Sequence, residues 1–112
     1  MTQYLVTIHR PENYDGRIVE DDAMKGEIDA LNRDMVAAKV RVFVGGLKSE
    51  REARSITVAD GQISLRDGPY LQTSEHIGGL WVLELPSLDE ALEWGAKAAV
   101  ACRAPVEVRP FH

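Results

Sequence analysis

The run YLVTI, residues 4–8, decides how this chain has to fold. It is short, apolar and rich in β-branched residues, which predicts a strand. Because alternate side chains of a strand point to opposite faces, Tyr4, Val6 and Ile8 share one face and Leu5 lies on the other. Apolar residues on both faces indicate a strand that is covered on both sides.

The next apolar pattern predicts a helix. Met24, Ile28, Leu31 and Met35 recur at intervals of three or four residues, which is the spacing of one helical face. Asp21 or the aspartate after it can cap the start of this helix, and acidic residues in a first turn suit the helix dipole.

A hairpin is predicted in the middle of the chain. The polar segment PENYDGR (11–17) is predicted to be a loop, and VRVFV (40–44) a second strand. SITVA (55–59) and QISLR (62–66) are joined by an Asp-Gly pair, the strongest short-range hairpin signal. Pairing across this turn produces one apolar face from two cross-strand pairs: Val58 with Ile63, and Ile56 with Leu65.

The last third of the chain contains a strand, a helix and a strand. LWVLEL (80–85) is followed by SLDE, in which Ser87 and Glu90 have the spacing of a capping box. A helix over about residues 88–100 follows, and VEVRPF (106–111) is the last strand. The buried stripe of this helix is predicted to be Leu88, Ala91, Leu92, Gly95 and Ala99.

This order of elements predicts an α+β fold. A β-α-β unit, a hairpin and a second β-α-β unit make a ferredoxin-like split βαβ arrangement, with two helices on one face of an antiparallel sheet. The helices leave the other face of the sheet open. Because the first strand is apolar on both faces, we expect a second copy of the chain to cover that face in a homodimer.

Composition narrows the class of protein. The chain has 112 residues, and residues 1–112 are predicted to form a single domain. A net charge of −5 argues against direct nucleic acid binding and against an anionic membrane surface. The N-terminal apolar run is too short to span a membrane. Cys102 is the only cysteine, so no intrachain disulfide can form and a reducing, cytoplasmic location is expected.

Four segments together resemble a known family. They are YLVTIHR, VADGQISLRDGPY, SEHIGGLWVLELPSLDEALEWGAKAA and VEVRPF, which cover nearly the whole chain in order. The chain resembles the YCII-related proteins, and specifically their DGPF-type subgroup. The resemblance implies a dimeric α/β barrel of ferredoxin-like protomers, bacterial and uncharacterised, with a functional link to a sigma factor in some members.

The catalytic pair proposed for the wider family does not transfer to this chain. The resemblance implies a histidine on the first helix and an aspartate near the end of the second. Here the first helix has no histidine, and the second ends in GAKAAVACRAP without an acid. Tyr70 also replaces the phenylalanine of the subgroup motif, and His76 stands where a glutamine is common.

The segment DGPYLQTSEHIGG, residues 67–79, contains the candidate catalytic residues. A carboxylate beside an imidazole orients the ring and raises its pKa, as a general base requires, so Asp67 and His76 form a possible acid–base pair. In the alternative interpretation, Asp67 caps the turn by accepting backbone amides, and His76 is an ordinary loop residue. Both interpretations remain open at this stage.

A ligand site is predicted near the same loop. Its candidate residues are His9, Tyr70, Glu75, Gly78 and Gly79, where the glycines allow the backbone to approach a ligand closely. No histidine or cysteine spacing indicates a metal site, and no motif for nucleotides or for serine hydrolases is present, so no cofactor is predicted.

Two functions follow from these observations. The first is a homodimeric module that binds a small ligand or accompanies a regulator. The alternative is a small-molecule enzyme that works without a cofactor and uses Asp67 and His76 for proton transfer.

Overall fold

The computed structural model describes residues 1–112 and confirms the α+β class. A single 3₁₀ turn, Glu50–Glu52, joins two of the strands. The strands and helices, in chain order, are β1 (Thr2–Pro11), α1 (Gly16–Val19), α2 (Asp22–Ala37), β2 (Arg41–Gly46), β3 (Arg54–Ala59), β4 (Gln62–Asp67), β5 (Glu75–Leu85), α3 (Leu88–Cys102) and β6 (Val106–Pro110).

β1 and β5 extend furthest beyond their predicted bounds. β1 continues to Pro11 and β5 begins at Glu75, because the ladder between them runs past the apolar runs to the pair Pro11–Glu75. The segment predicted as a loop contains the short helix α1, whose start is capped by Asp15 accepting the backbone N–H of Arg17 at 3.0 Å. Sequence patterns detect only the apolar part of a strand. The backbone pairing between the strands also includes the polar residues at their ends.

The main sheet has the strand order β2-β5-β1-β6, and each neighbouring pair is antiparallel. β1 and β2 belong to the first β-α-β unit, while β5 and β6 belong to the second. Each unit therefore has a strand of the other unit between its own two, so the halves are interleaved. β1 pairs along both of its edges and lies inside the sheet.

The core lies between the helices and one face of the sheet. Tyr4, Val6 and Leu83 are buried there against Leu31 and Met35 of α2, as the helical spacing predicts. The cap of α2 is Asp21, whose carboxylate accepts the backbone N–H of Met24 at 2.8 Å.

The predicted buried stripe of α3 is partly wrong. Leu88 and Leu92 are 47% and 49% exposed, whereas Ala91, Gly95 and Ala98 face the core. The reason is that α3 lies very close to the sheet. A Cβ on Gly95 would lie only 2.8 Å from Cγ2 of Val108, so small residues occupy the contact and the leucines lie at its margin.

The hairpin forms a separate two-stranded sheet. β3 and β4 pair in the predicted register, with Val58 opposite Ile63 and Ile56 opposite Leu65. The joining residues have φ of 51° and 76°, as the primed turns of two-residue hairpins require. All four apolar side chains are between 65% and 73% exposed, so the apolar face of the hairpin has no partner within this chain.

The sheet face opposite the helices also carries apolar side chains. Alternation along the strands places Leu5, Phe43, Leu80 and Val82 on that face. Phe43 is 58% exposed, and the others are half-buried. No helix of the structure is long and apolar enough to cross a membrane.

Two helical glycines should respond oppositely to alanine. Gly26→Ala, in α2, places its Cβ in open space and should stabilise the fold by about 1 kcal/mol, because alanine loses less backbone entropy. Gly95→Ala should destabilise it by about 1–3 kcal/mol, because α3 must move away from β6. Urea unfolding followed by circular dichroism measures both. A Gly95→Ala protein as stable as the original would contradict the close packing of α3.

Candidate functional site

An extra residue in β5 determines which side chains meet at the site. Along the β1–β5 ladder, Ile8 pairs with Gly79 and His9 pairs with Ile77, so Gly78 has no partner and forms a β-bulge. A bulge reverses the alternation of side chains beyond it, because one residue of offset turns every following side chain to the other face.

The bulge brings His76 opposite Arg10. These two residues are direct cross-strand partners at the end of the ladder, on the face that also carries Ile8 and the helices. Without the extra residue, Ile77 would share that face instead. The tertiary structure thus places an imidazole beside a guanidinium at the edge of the core.

Arg10 is held in place by several neighbours. Its side chain is only 12% exposed, and one terminal nitrogen donates to the carbonyl oxygen of Cys102 at 2.6 Å. Its guanidinium lies 4.4 Å from the centroid of the Tyr14 ring, within range of a cation–π interaction. A Cβ on Gly78 would lie 2.6 Å from Cγ of Arg10, so the glycine makes room for the arginine.

The short helix α1 supplies an acid to the same place. Tyr14 donates its hydroxyl to Oε2 of Glu20 at 2.9 Å, and that carboxylate oxygen lies 4.0 Å from the Arg10 guanidinium. Burial, followed by the hydrogen bond to Glu20, raises the pKa of Tyr14 above its ordinary value. The tyrosine therefore remains a hydrogen-bond donor across the physiological range.

These groups line a cavity of about 730 Å³. Its wall also includes His76 and Glu50. The backbone N–H of Asn13 donates to Glu50 at 2.9 Å and holds the pKa of that carboxyl below its ordinary value, and the nearby His76 adds to the effect. Glu50, from the 3₁₀ turn, thus lies near His76, although no hydrogen bond or ion pair joins the two side chains.

A second cavity of about 690 Å³ contains four of the predicted residues. His9, Tyr70, Glu75 and His76 all line it. His9 is within hydrogen-bond distance of its neighbour, with 3.1 Å between Nε2 and the hydroxyl oxygen of Thr7. The two predicted glycines, Gly78 and Gly79, line the first cavity instead, and His76 belongs to both.

Asp67 lies apart from both cavities. Its side chain is 89% exposed, and its carboxylate pairs with Nε of Arg54 at 3.1 Å. No hydrogen bond joins it to His76, and it accepts none of the backbone amides of the turn. The turn is held instead at Gly68, whose N–H donates to the carbonyl of Ala53 and whose own carbonyl accepts the Ser55 hydroxyl at 2.7 Å.

Four residues of the site were not among the sequence-based candidates: Arg10, Tyr14, Glu20 and Glu50. A usable signal existed in Gly78-Gly79, because a glycine within an extended strand is typical of a bulge or of a close approach. The close approach of Arg10 to Gly78, by contrast, depends on the strand register. No group of three or more His, Cys, Asp or Glu side chains is arranged to hold a metal ion.

Comparison with known proteins establishes the family. The YCII-related domain matches residues 3–111. The chain belongs to the YCII-related family. It is similar to the uncharacterized protein R00369 of Rhizobium meliloti (strain 1021), with 29% identity over 94 residues. That match covers 82% of this chain and 76% of the relative.

The buried thiol of Cys102 should be unreactive in the folded protein. Cys102 lies at the end of α3 beside Arg10, is 1% exposed, and has its pKa raised by burial. At about pH 8 a thiol-exchange reagent should react at least about tenfold more slowly than with the denatured chain, because little thiolate is present and access is blocked. Equal rates before and after denaturation would show that Cys102 is accessible.

Proposed function

We propose that this YCII-related protein is a homodimeric module that binds a small ligand. The observation that carries the proposal is the cavity of about 730 Å³ at the bulged end of the β1–β5 ladder. Its volume is in the range of small-molecule sites, and apolar walls with a few converging polar groups are typical of them. Arg10, Tyr14 and His76 are among the polar groups of its wall, which also includes apolar residues such as Ile8 and Trp81.

The ligand site is tested by NMR with a library of small soluble fragments. Backbone amide shifts on binding should cluster at residues 76–79 and at Arg10 and Tyr14. The exposed loop before β5 should shift less, which distinguishes cavity binding from surface contact. A library that produces shifts only outside these residues would contradict a ligand site in this cavity.

The exposed surface supports a dimer. The chain exposes 7723 Å², whereas a compact monomer of its mass exposes about 6,100 Å². Its radius of gyration is 15.9 Å, against about 13 Å for a compact domain of this length. A standard interface buries about 800 Å² on each partner. The excess area is therefore more than sufficient for one stable interface.

We infer that two apolar surfaces take part in this dimer. One is the open sheet face around Leu5 and Phe43, and the other is the hairpin face around Ile56 and Ile63. Covering the open sheet face would complete the dimeric α/β barrel of ferredoxin-like protomers that the family resemblance implies. Exposed apolar area of this extent is rare on monomers and marks interfaces.

A charge placed on the hairpin tests the dimer. Ile63→Lys puts an ammonium group on the apolar face of β4 and should convert the dimer into a monomer, because an unpaired charge in an interface is strongly unfavourable. Thr57→Lys, on the opposite face of the same hairpin, adds the same charge and should leave the dimer intact. Light scattering after size-exclusion chromatography measures both. A monomeric wild-type protein at micromolar concentration would refute the dimer.

We also propose that the protein accompanies a regulator, and this proposal rests on the subgroup motif. The segment DGPY before β5 supports assignment to the DGPF-type subgroup, from which a functional link to a sigma factor follows as a proposal. The enzymatic alternative relies on Asp67 acting with His76. Because Asp67 pairs with Arg54 at the surface, the geometry favours ligand binding over proton transfer by that pair.

A further inference from the structure

We propose that the cavity recognises a small organic anion, whose carboxylate binds Arg10 and whose apolar body lies against Ile8, Ile28 and Trp81. This inference rests on the proposed ligand-binding function and adds the chemical class of the ligand. The three apolar residues line the same cavity as Arg10. A ligand of this class combines a charged head with a hydrophobic body, as the two parts of the wall require.

Arg10 has hydrogen-bond donors to spare. A guanidinium group has five N–H donors, and the single hydrogen bond from the Arg10 side chain goes to the Cys102 carbonyl. The carboxylate of Glu20, at 4.0 Å, lies beyond direct hydrogen-bond distance. No side-chain nitrogen or oxygen is shut off from solvent without a partner. The remaining donors of Arg10 are therefore accessible from the cavity, where a carboxylate can accept two of them.

The formal charges on the wall balance, because four cations, Arg10, Arg17, Lys48 and Arg51, are matched by four acids, Asp15, Glu20, Glu50 and Glu52. Three of its acids already have partners: Asp15 binds Arg17, Glu20 accepts the Tyr14 hydroxyl, and Glu50 accepts the backbone N–H of Asn13. By contrast, the side chains of two wall cations make no hydrogen bond or ion pair within the chain, and one acid is similarly unpaired. The cations are Lys48 and Arg51, and the acid is Glu52. The selection of an anion therefore depends on the unused donors of Arg10 and not on an excess of positive charge on the wall.

Arg10 is also oriented before any ligand arrives. The Cys102 carbonyl holds one end of its guanidinium, the Tyr14 ring lies against it, and the missing side chain of Gly78 leaves room for its stem. Fixing a flexible side chain in advance reduces the entropy lost on binding. A surface arginine without these contacts would not have this advantage.

The experiment compares three probes: benzoate, benzyl alcohol and inorganic phosphate. NMR titration of the full chain should show benzoate binding in the cavity, at least about tenfold more tightly than benzyl alcohol, because a charge-assisted pair is added. Phosphate should bind more weakly than benzoate, since it lacks an apolar body. Arg10→Gln should weaken benzoate binding by about tenfold or more. Arg33→Gln, which removes an exposed arginine of α2 that lines neither cavity, should leave binding unchanged.

A second variant of Arg10 helps to distinguish a loss of binding from a loss of folding. Arg10→Lys retains the positive charge but lacks the planar pair of donors, so benzoate binding should still weaken severalfold. Thermal unfolding of each variant establishes that it is folded before titration. Benzoate binding that is unchanged in a folded Arg10 variant would overturn the inference.

The outcomes separate this inference from the proposed function. If benzyl alcohol binds in the cavity as tightly as benzoate, the anion inference fails and the ligand-binding function stands. If phosphate binds more tightly than benzoate, the apolar part of the inference fails. If neither the probes nor the fragment library shifts any cavity residue, both the inference and the ligand-binding function fail.

Discussion

The central strand β1 is the constraint on which the structure depends. It pairs with β5 along one edge and with β6 along the other, so it joins the two β-α-β halves into one sheet. Its side chains are apolar on both faces, and burial of apolar area is the main force in folding. The helices bury one face of the sheet. The other face, together with the hairpin, retains the apolar surface from which we infer a partner.

The bulge at Gly78 links this sheet to the candidate site. C-terminal to the bulge, β5 contributes core residues such as Trp81 and Leu83. N-terminal to the bulge, the reversed alternation presents His76 beside Arg10, at the edge where Glu20, the C-cap residue of α1, also lies. The site thus arises where the ladder ceases to be regular, and the absent side chain of Gly78 provides the room for Arg10. Bulges are common next to functional sites for this reason.

Local rules explain which features of the fold were predictable. The hairpin register follows from its turn and from alternation, and the starts of α2 and α3 follow from Asp21 and Ser87. The buried stripe of α3 was predicted only in part, because its leucines were assigned to the core by hydrophobicity. How closely a helix approaches a sheet depends on both surfaces, and the contact between Gly95 and Val108 cannot be seen in either segment alone.

The sequence by itself determined the order of the strands and of the two long helices, the hairpin, the α+β class and the resemblance to the YCII-related family. These depend on periodicity, caps and turns, which act over a few residues. The tertiary structure alone decided the composition of the site. It paired Asp67 with Arg54 and placed Arg10, Tyr14 and Glu20 together, because contacts between distant segments depend on strand register. A single extra residue in a ladder changes which side chains meet.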